Sequence, residues 1–192
     1  MDCSYYVPNR LPRTSNSRIL FTGTSAERNM VALRQFVKNV VPLILNELPE
    51  VELLVAGDFS PRAQAEFAGQ AHMRFTGRVD DMRPFFNQSD VFIAPFTDTH
   101  GSKLKIAEAM AMAIPIVSTT MGIRGFPLID GESVLLADSP PQFAKHVVSL
   151  LREPEQCMAL GSAARKKALS TIDWSVLGKR LVAIVHATQA AL

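Results

Sequence analysis

The feature that most constrains this chain is an alternation. Short runs of apolar and β-branched residues, each stopped by glycine or proline, are separated by stretches with helical spacing. Residues 18–22 end at Gly23, and apolar residues then recur at 33, 36, 37, 40, 44 and 48. That reads as strand, turn and a helix over 30–48, which Pro42 should kink by removing one hydrogen bond. The step repeats: 51–56 is a strand closed by Gly57, 61–67 a short helix, and 73–76 a strand closed by Gly77. Residues 81–88 form a helical turn, 91–94 a strand stopped by Pro95, 104–112 a helix, and 116–118 and 134–136 the last strands. Three helices follow, over 141–151, over 154–169 and from Asp173 onward.

Strands alternating with helices imply a parallel sheet covered on both faces, because right-handed crossovers place the helices there. The expectation is an α/β chain: a single Rossmann-like, doubly wound domain over 18–192 with a helical tail. Residues 1–17 are polar, have no hydrophobic period, and read as a linker or arm. In sheets of this kind ligands bind outside the carboxyl ends of the strands. The loops after Phe21, Ala56, Phe75, Ala94 and Ser118 are therefore where chemistry is to be sought.

Composition narrows the partners. With 47% hydrophobic and 20% charged residues in 192, the chain has the balance of an ordinary soluble globular domain. Twenty Lys and Arg against 18 Asp and Glu give a net charge of +2, too small and dispersed for a nucleic-acid footprint or a polybasic anchor. An anionic partner must be held locally, and membrane association is peripheral if there is any. Cys3 and Cys157 form no CxxC, and with four scattered histidines no metal site is expected. The longest wholly apolar run, 109–117, is far shorter than the ~20 residues a bilayer needs. The start, Met1-Asp2-Cys3-Ser4-Tyr5-Tyr6, lacks the basic and apolar regions of a signal peptide, so a cytoplasmic protein is expected.

Two loops carry candidate chemistry. After the fourth strand, residues 96–103 are polar, contain His100, Gly101 and Ser102, and lead into the helix bearing Glu108. Free N–H groups at that helix start suit a phosphate at Gly101, Ser102 and Lys103. Glu108 lies deeper in the same helix, within reach of hydroxyls on a sugar attached to such a phosphate. The plainer reading is that Ser102 caps the helix while Lys105 and Glu108 make an i,i+3 surface pair. The first loop, 23–29, supplies Thr24 and Arg28 but is neither GxGxxG nor a P-loop, and Arg28 pairs either with phosphate or with Glu27. Asp80 and Asp81 read as the cap of the next short helix, and Met110 and Met112 as core.

Several segments together resemble one family. They are Ile19-Leu20-Phe21-Thr22-Gly23, residues 51–57, Arg74-Phe75-Thr76-Gly77-Arg78-Val79-Asp80-Asp81, residues 90–95, and above all 104–118. Asp130-Gly131-Glu132, Arg152-Glu153-Pro154 and Asp173-Trp174 agree with it. The chain is similar to the C-terminal half of GT-B glycosyltransferases of the large retaining group called family four. The resemblance implies a nucleotide-sugar donor with UDP or GDP, no metal or other cofactor, transfer of a hexosyl group, and catalytic residues in an absent N-terminal acceptor domain. Asp2 to Asn9 resembles the family's interdomain segment, which implies a truncated or excised domain, inactive in transfer by itself.

Carried over by residue, the resemblance makes Glu108 the carboxylate that holds the donor ribose. The partner glutamate eight positions earlier is replaced by His100. Gly101 is kept, while Ser102 and Lys103 replace an aromatic-glycine pair, which makes Lys103, beside Leu104, a diphosphate contact. In the first loop, beside Gly23, Thr24 stands where the family has arginine, and Arg28 is the nearest match to its lysine. Backbone at Arg78 and Val79 is where the base edge is read. The replacements also support a second reading, a degenerate, non-catalytic interaction domain. Another nucleotide-sugar enzyme on the same scaffold, such as an epimerase, is a third.

Overall fold

A computed structural model describes residues 1–9, 17–98 and 103–190. Six parallel strands form one sheet in the order β3-β2-β1-β4-β5-β6. They are β1 (Arg18–Thr22), β2 (Glu52–Ala56), β3 (Met73–Phe75), β4 (Val91–Ala94), β5 (Ile116–Ser118) and β6 (Leu135–Leu136). The order reverses between β1 and β4, so the expected doubly wound α/β topology is present, with its switch point at those two strands.

The central strands are apolar on both faces because helices cover both. Ile19, Leu20, Phe21, Leu53, Leu54, Val55 and all of β4 are buried. Helix α1 (Glu27–Asn39) turns Met30, Leu33, Phe36 and Val37 onto the sheet, and α6 (Pro140–Arg152) does the same with Phe143, Val147, Leu150 and Leu151. The short helices are α2 (Val41–Leu45), α3 (Pro61–Ala65) and α4 (Arg83–Asn87). Pro42 does not kink one long helix as expected. The helix breaks at Val40 and restarts, and Pro42 sits in the first turn of α2, where its missing N–H is no loss.

Helix α5 (Leu104–Ala111) packs on α7 (Pro154–Thr171). It ends in a Schellman motif: Ile114 N donates to Ala109 O and Ala113 N to Met110 O, with Ala113 left-handed at φ 52°. Met110 and Met112 are core, as their apolar setting implies. The last helix, α8 (Trp174–Ala190), starts after Asp173 as expected and leaves Trp174, Leu181 and Ile184 more than 60% exposed. Among the described residues no helix is long and apolar enough to cross a membrane.

Residues 1–9 lie against the domain. The Met1 ammonium donates to Ile172 O at 2.9 Å, Trp174 N to Met1 O at 2.9 Å, and Cys3 N to Asp173 Oδ2 at 3.0 Å. The Arg165 guanidinium donates to Tyr6 O at 2.7 Å and Cys3 O at 3.3 Å, and the Arg83 guanidinium stacks 3.8 Å over the Tyr5 ring.

A candidate anion-binding cleft at the switch point

The loops at the carboxyl ends of β1, β2 and β3 are laced together. Gly23 N donates to Ala56 O at 3.0 Å, Ser25 N to Asp58 O at 3.1 Å, and Gly57 N to Thr76 Oγ1 at 3.2 Å. Gly57 is at φ 123°, and a Cβ there would sit 2.0 Å from Gly23 O, so only glycine lets the two loops approach. This lacing fixes one wall of an open cleft of about 380 Å³. Thr22, Gly23, Thr24, Arg28 and Asn29 supply that wall, and Met82, Lys103, Leu104, Lys105 and Glu108 the other.

Of the residues singled out from sequence, Gly23, Thr24, Arg28, Lys103, Leu104 and Glu108 are brought together here. Val79 lies on the loop after β3, half-buried, and does not line the cleft. His100, Gly101 and Ser102 lie outside the described residues, as does the expected capping role of Ser102.

Arg28 pairs with Asp98 rather than Glu27: its Nε is 2.9 Å from Asp98 Oδ1, and its guanidinium lies 5.0 Å from the centroid of Phe96. Lys103 is left-handed at φ 49° at the start of α5 and only 6% exposed, and its ammonium donates to Met121 O. Burial holds that ammonium's pKa below the usual lysine range, assisted by the positive charge of Arg28. Asp81 does not cap α4 through the helix start itself. It accepts Arg83 N at 2.9 Å from one residue further out and clasps the Arg83 guanidinium.

Lys105 is the functional candidate that sequence reasoning missed. It makes no surface pair with Glu108. Its ammonium turns inward and donates to Thr22 O at 2.7 Å and Asn29 Oδ1 at 2.9 Å, lying 4.6 Å from the Phe96 centroid and 5.3 Å from that of Phe21. Asn29 is in turn fixed by donating to Thr24 O at 3.1 Å. Burial lowers the Lys105 ammonium to about 8, and the nearby Arg28 charge acts in the same direction. The Thr22 hydroxyl beside it is buried without a hydrogen-bond partner. The spacing of Lys105 from Glu108 gave no signal for this, because it does not say which side of a helix faces the sheet.

Glu108 sits further along α5 and accepts the Tyr6 hydroxyl at 3.0 Å on Oε1. Burial raises its pKa above the usual carboxylate range, while the Tyr6 hydrogen bond and the Lys105 charge pull it back. Tyr6 itself is raised to about 12, by burial and by the Glu108 charge. The cleft therefore offers three cations and one carboxylate across the ends of β1 and α5. That is the layout for a ligand carrying an anion at one end and hydroxyl donors at the other. Among the described residues no group of three or more His, Cys, Asp or Glu is placed to hold a metal ion.

Comparison with known proteins places this arrangement in context. The family model described as Glycosyl transferases group 1 matches residues 16–153. A phosphatidyl-myo-inositol mannosyltransferase of Mycobacterium tuberculosis is 28% identical over 159 residues, 76% of this chain and 41% of that protein. An uncharacterized 44.6 kDa protein from the cps region of Klebsiella pneumoniae is 27% identical over 143 residues, 70% of this chain and 37% of its own. The chain thus spans about two-fifths of the length of these curated relatives. Among solved structures, the C-terminal domain of a Francisella tularensis glycosyl transferase group 1 family protein superposes with a TM-score of 0.71 at 16% identity, covering 91% of this chain and 99% of that domain. The Anabaena protein HepE, solved with UDP and glucose, gives a TM-score of 0.74 at 13% identity, over 97% of this chain and 55% of its own.

Proposed function

The chain belongs to the group 1 glycosyl transferases, and from that premise we propose that its cleft holds the nucleotide-sugar donor of a retaining glycosyltransferase. The observation that carries this reading is the convergence of Arg28, Lys103 and Lys105 with Glu108 at the switch point between β1 and β4. The three cations face the diphosphate and Glu108 takes the ribose hydroxyls, with UDP and GDP as the candidate donors. As the glycosidic bond breaks, negative charge grows on the leaving diphosphate. Fixed cations in a partly desolvated cleft stabilise that charge without reorganising. Positive side chains supply the counter-charge, so the reading calls for no metal or other cofactor.

Transfer of a hexosyl group needs an acceptor site and a closed space that excludes water. In this reading both come from an N-terminal half like that of the longer relatives, the reaction runs in the cytoplasm, and the 192 residues alone bind donor without transferring sugar. The test is calorimetric titration of the chain with UDP, GDP and ADP, repeated on Glu108→Ala. Binding of one nucleotide, weakened in Glu108→Ala by about 1–2 kcal/mol with unchanged thermal stability, supports the reading. No binding of any nucleotide overturns it and favours the second reading, an interaction domain that keeps the fold and has lost the donor.

A further inference from the structure

A side chain outside the cleft-lining set reaches its carboxylate. Tyr6 belongs to neither the sheet nor α5, yet its hydroxyl donates to Glu108 Oε1 at 3.0 Å across 102 positions of sequence. Resting on the donor reading above, we propose that Tyr6 is a positioning residue, which fixes the Glu108 carboxylate so that its remaining lone pairs face the two hydroxyls of a ribose.

The aim of the phenol is built, not incidental. The backbone of Tyr6 is clamped where Arg165 donates to its carbonyl at 2.7 Å, and the neighbouring Cys3 is held by Arg165 on its carbonyl and by Asp173 on its amide. The ring packs edge-on against Tyr5 with centroids 5.2 Å apart, and Tyr5 in turn carries the Arg83 guanidinium. From α7, α4 and the turn just before α8, therefore, separate contacts converge on the segment that presents one hydroxyl.

Glu108 needs such a partner. A glutamate has three side-chain torsions, and fixing them on binding costs rotamer freedom. A carboxylate already held by Tyr6 meets the ribose with that cost met in advance. It also needs to be ionised to accept two hydroxyl donors. Burial works against ionisation, and the groups that favour it are the Tyr6 hydroxyl and the Lys105 ammonium. Arg28 and Lys103 face the same cleft from α1 and from the start of α5. Asp81 and Tyr5 act on Tyr6 rather than on Glu108 directly.

The test is Tyr6→Phe, which keeps the ring and deletes only the donor. The titration of the Glu108 carboxyl carbon, assigned by Glu108→Gln, is followed by NMR in the wild type and the variant, and UDP and GDP affinities are measured from pH 5.5 to 8.5. Positioning predicts that the Glu108 midpoint rises in Tyr6→Phe. It also predicts that nucleotide affinity at pH 7 falls roughly three- to tenfold, the reach of one hydrogen bond to a charged group acting through its partner, and that the acid limb of binding moves up with the midpoint. Because Tyr5 and Tyr6 are the only tyrosines, global 3-fluorotyrosine labelling gives a stronger phenol donor at Tyr6 without a substitution, and should move the midpoint the other way.

A uniform loss of affinity at every pH with the midpoint unmoved means that Tyr6 only braces the fold, and overturns the proposal. Equal or tighter binding in Tyr6→Phe overturns it too, because the phenol is then idle or competes with the ribose. A midpoint that moves in a wild-type protein binding neither nucleotide sinks the donor reading, and the ribose role with it, while leaving the contact itself in place.

Discussion

Gly161 on α7 faces the carbonyl of Ala113 so closely that a Cβ on the glycine would lie 2.1 Å from that oxygen and 2.9 Å from its carbon. The obstacle is backbone, at the turn that ends α5, and it cannot rotate away. Gly161→Ala must therefore push α7 off α5, and should destabilise the domain by about 1–3 kcal/mol, the usual cost of overpacking. Gly178, on α8, meets nothing within 4 Å. Gly178→Ala should instead stabilise by up to about 1 kcal/mol, the helix-propensity gain. Urea unfolding of the two variants checks the contrast, and equal effects would show that the α5–α7 contact is looser than described.

Ala113 itself holds a left-handed conformation at the end of α5. An L-residue there carries a penalty on the order of 1 kcal/mol that glycine does not. Ala113→Gly should raise the melting temperature, less whatever glycine's extra freedom in the unfolded chain takes back. A lower melting temperature would mean that the methyl group packs better than its half-buried setting suggests.

Lys105 predicts a pH window. Its ammonium is held at about 8, against 10.5 for a free lysine. Between those values the folded chain binds fewer protons than the unfolded one, so stability rises with pH across the window. Below about pH 8 the penalty for keeping the charge buried, about 3 kcal/mol, is fully present. Lys105→Met removes that rise but leaves Thr22 O and Asn29 Oδ1 without their donor, a cost of about 1–3 kcal/mol. The variant should be near neutral in stability at pH 7 and should lose the slope, which urea titrations at pH 7, 8, 9 and 10 would read. In the donor reading, wild-type nucleotide affinity also falls as pH passes about 8.

Asp173 predicts a slope of the same sign in a separate window, at the acid end. The Ser175 hydroxyl and amide, with the Cys3 amide, hold its carboxylate far below the ordinary range. A depressed carboxylate contributes stability that is present at neutral pH and is lost as pH falls through and below the ordinary carboxylate value. Asp173→Asn should melt lower than wild type at pH 7 and show less further loss down to pH 3. Parallel melting curves for the two proteins would refute the role.

The strands were the legible part of the sequence. Residues 91–94 and 116–118 were bounded correctly because an apolar run ended at Pro95 or began after Pro115, and such punctuation is local. The break at Val40 was less so, since Pro42 permits either a kink or a restart and the choice depends on how α2 meets α6. Glu108 and Lys103 were singled out as candidates from the sequence, and both line the cleft. Lys105 was not, because its partners, Thr22 and Asn29, are more than 70 positions away and no spacing rule reaches them. The polar opening segment looked featureless for the same reason: the contacts that carry Tyr6 to the cleft, with Glu108 and Arg165, are long-range.

Those contacts also bear on the order in which the molecule assembles. Met1 meets Ile172, Cys3 meets Asp173 and Tyr6 meets Glu108, closures of 171, 170 and 102 positions. Such closures have nothing to hold until α5, α7 and the start of α8 are in place, and closing long loops is entropically unfavourable before then. The first nine residues are thus expected to dock last and to open first. Pulse-labelling exchange should find the Cys3 amide protected only after those of β1 and β4. Folding would then end where the carboxylate of the cleft receives its phenol, so the site is completed by residues 1–9 only once the sheet and the helices that hold them have formed.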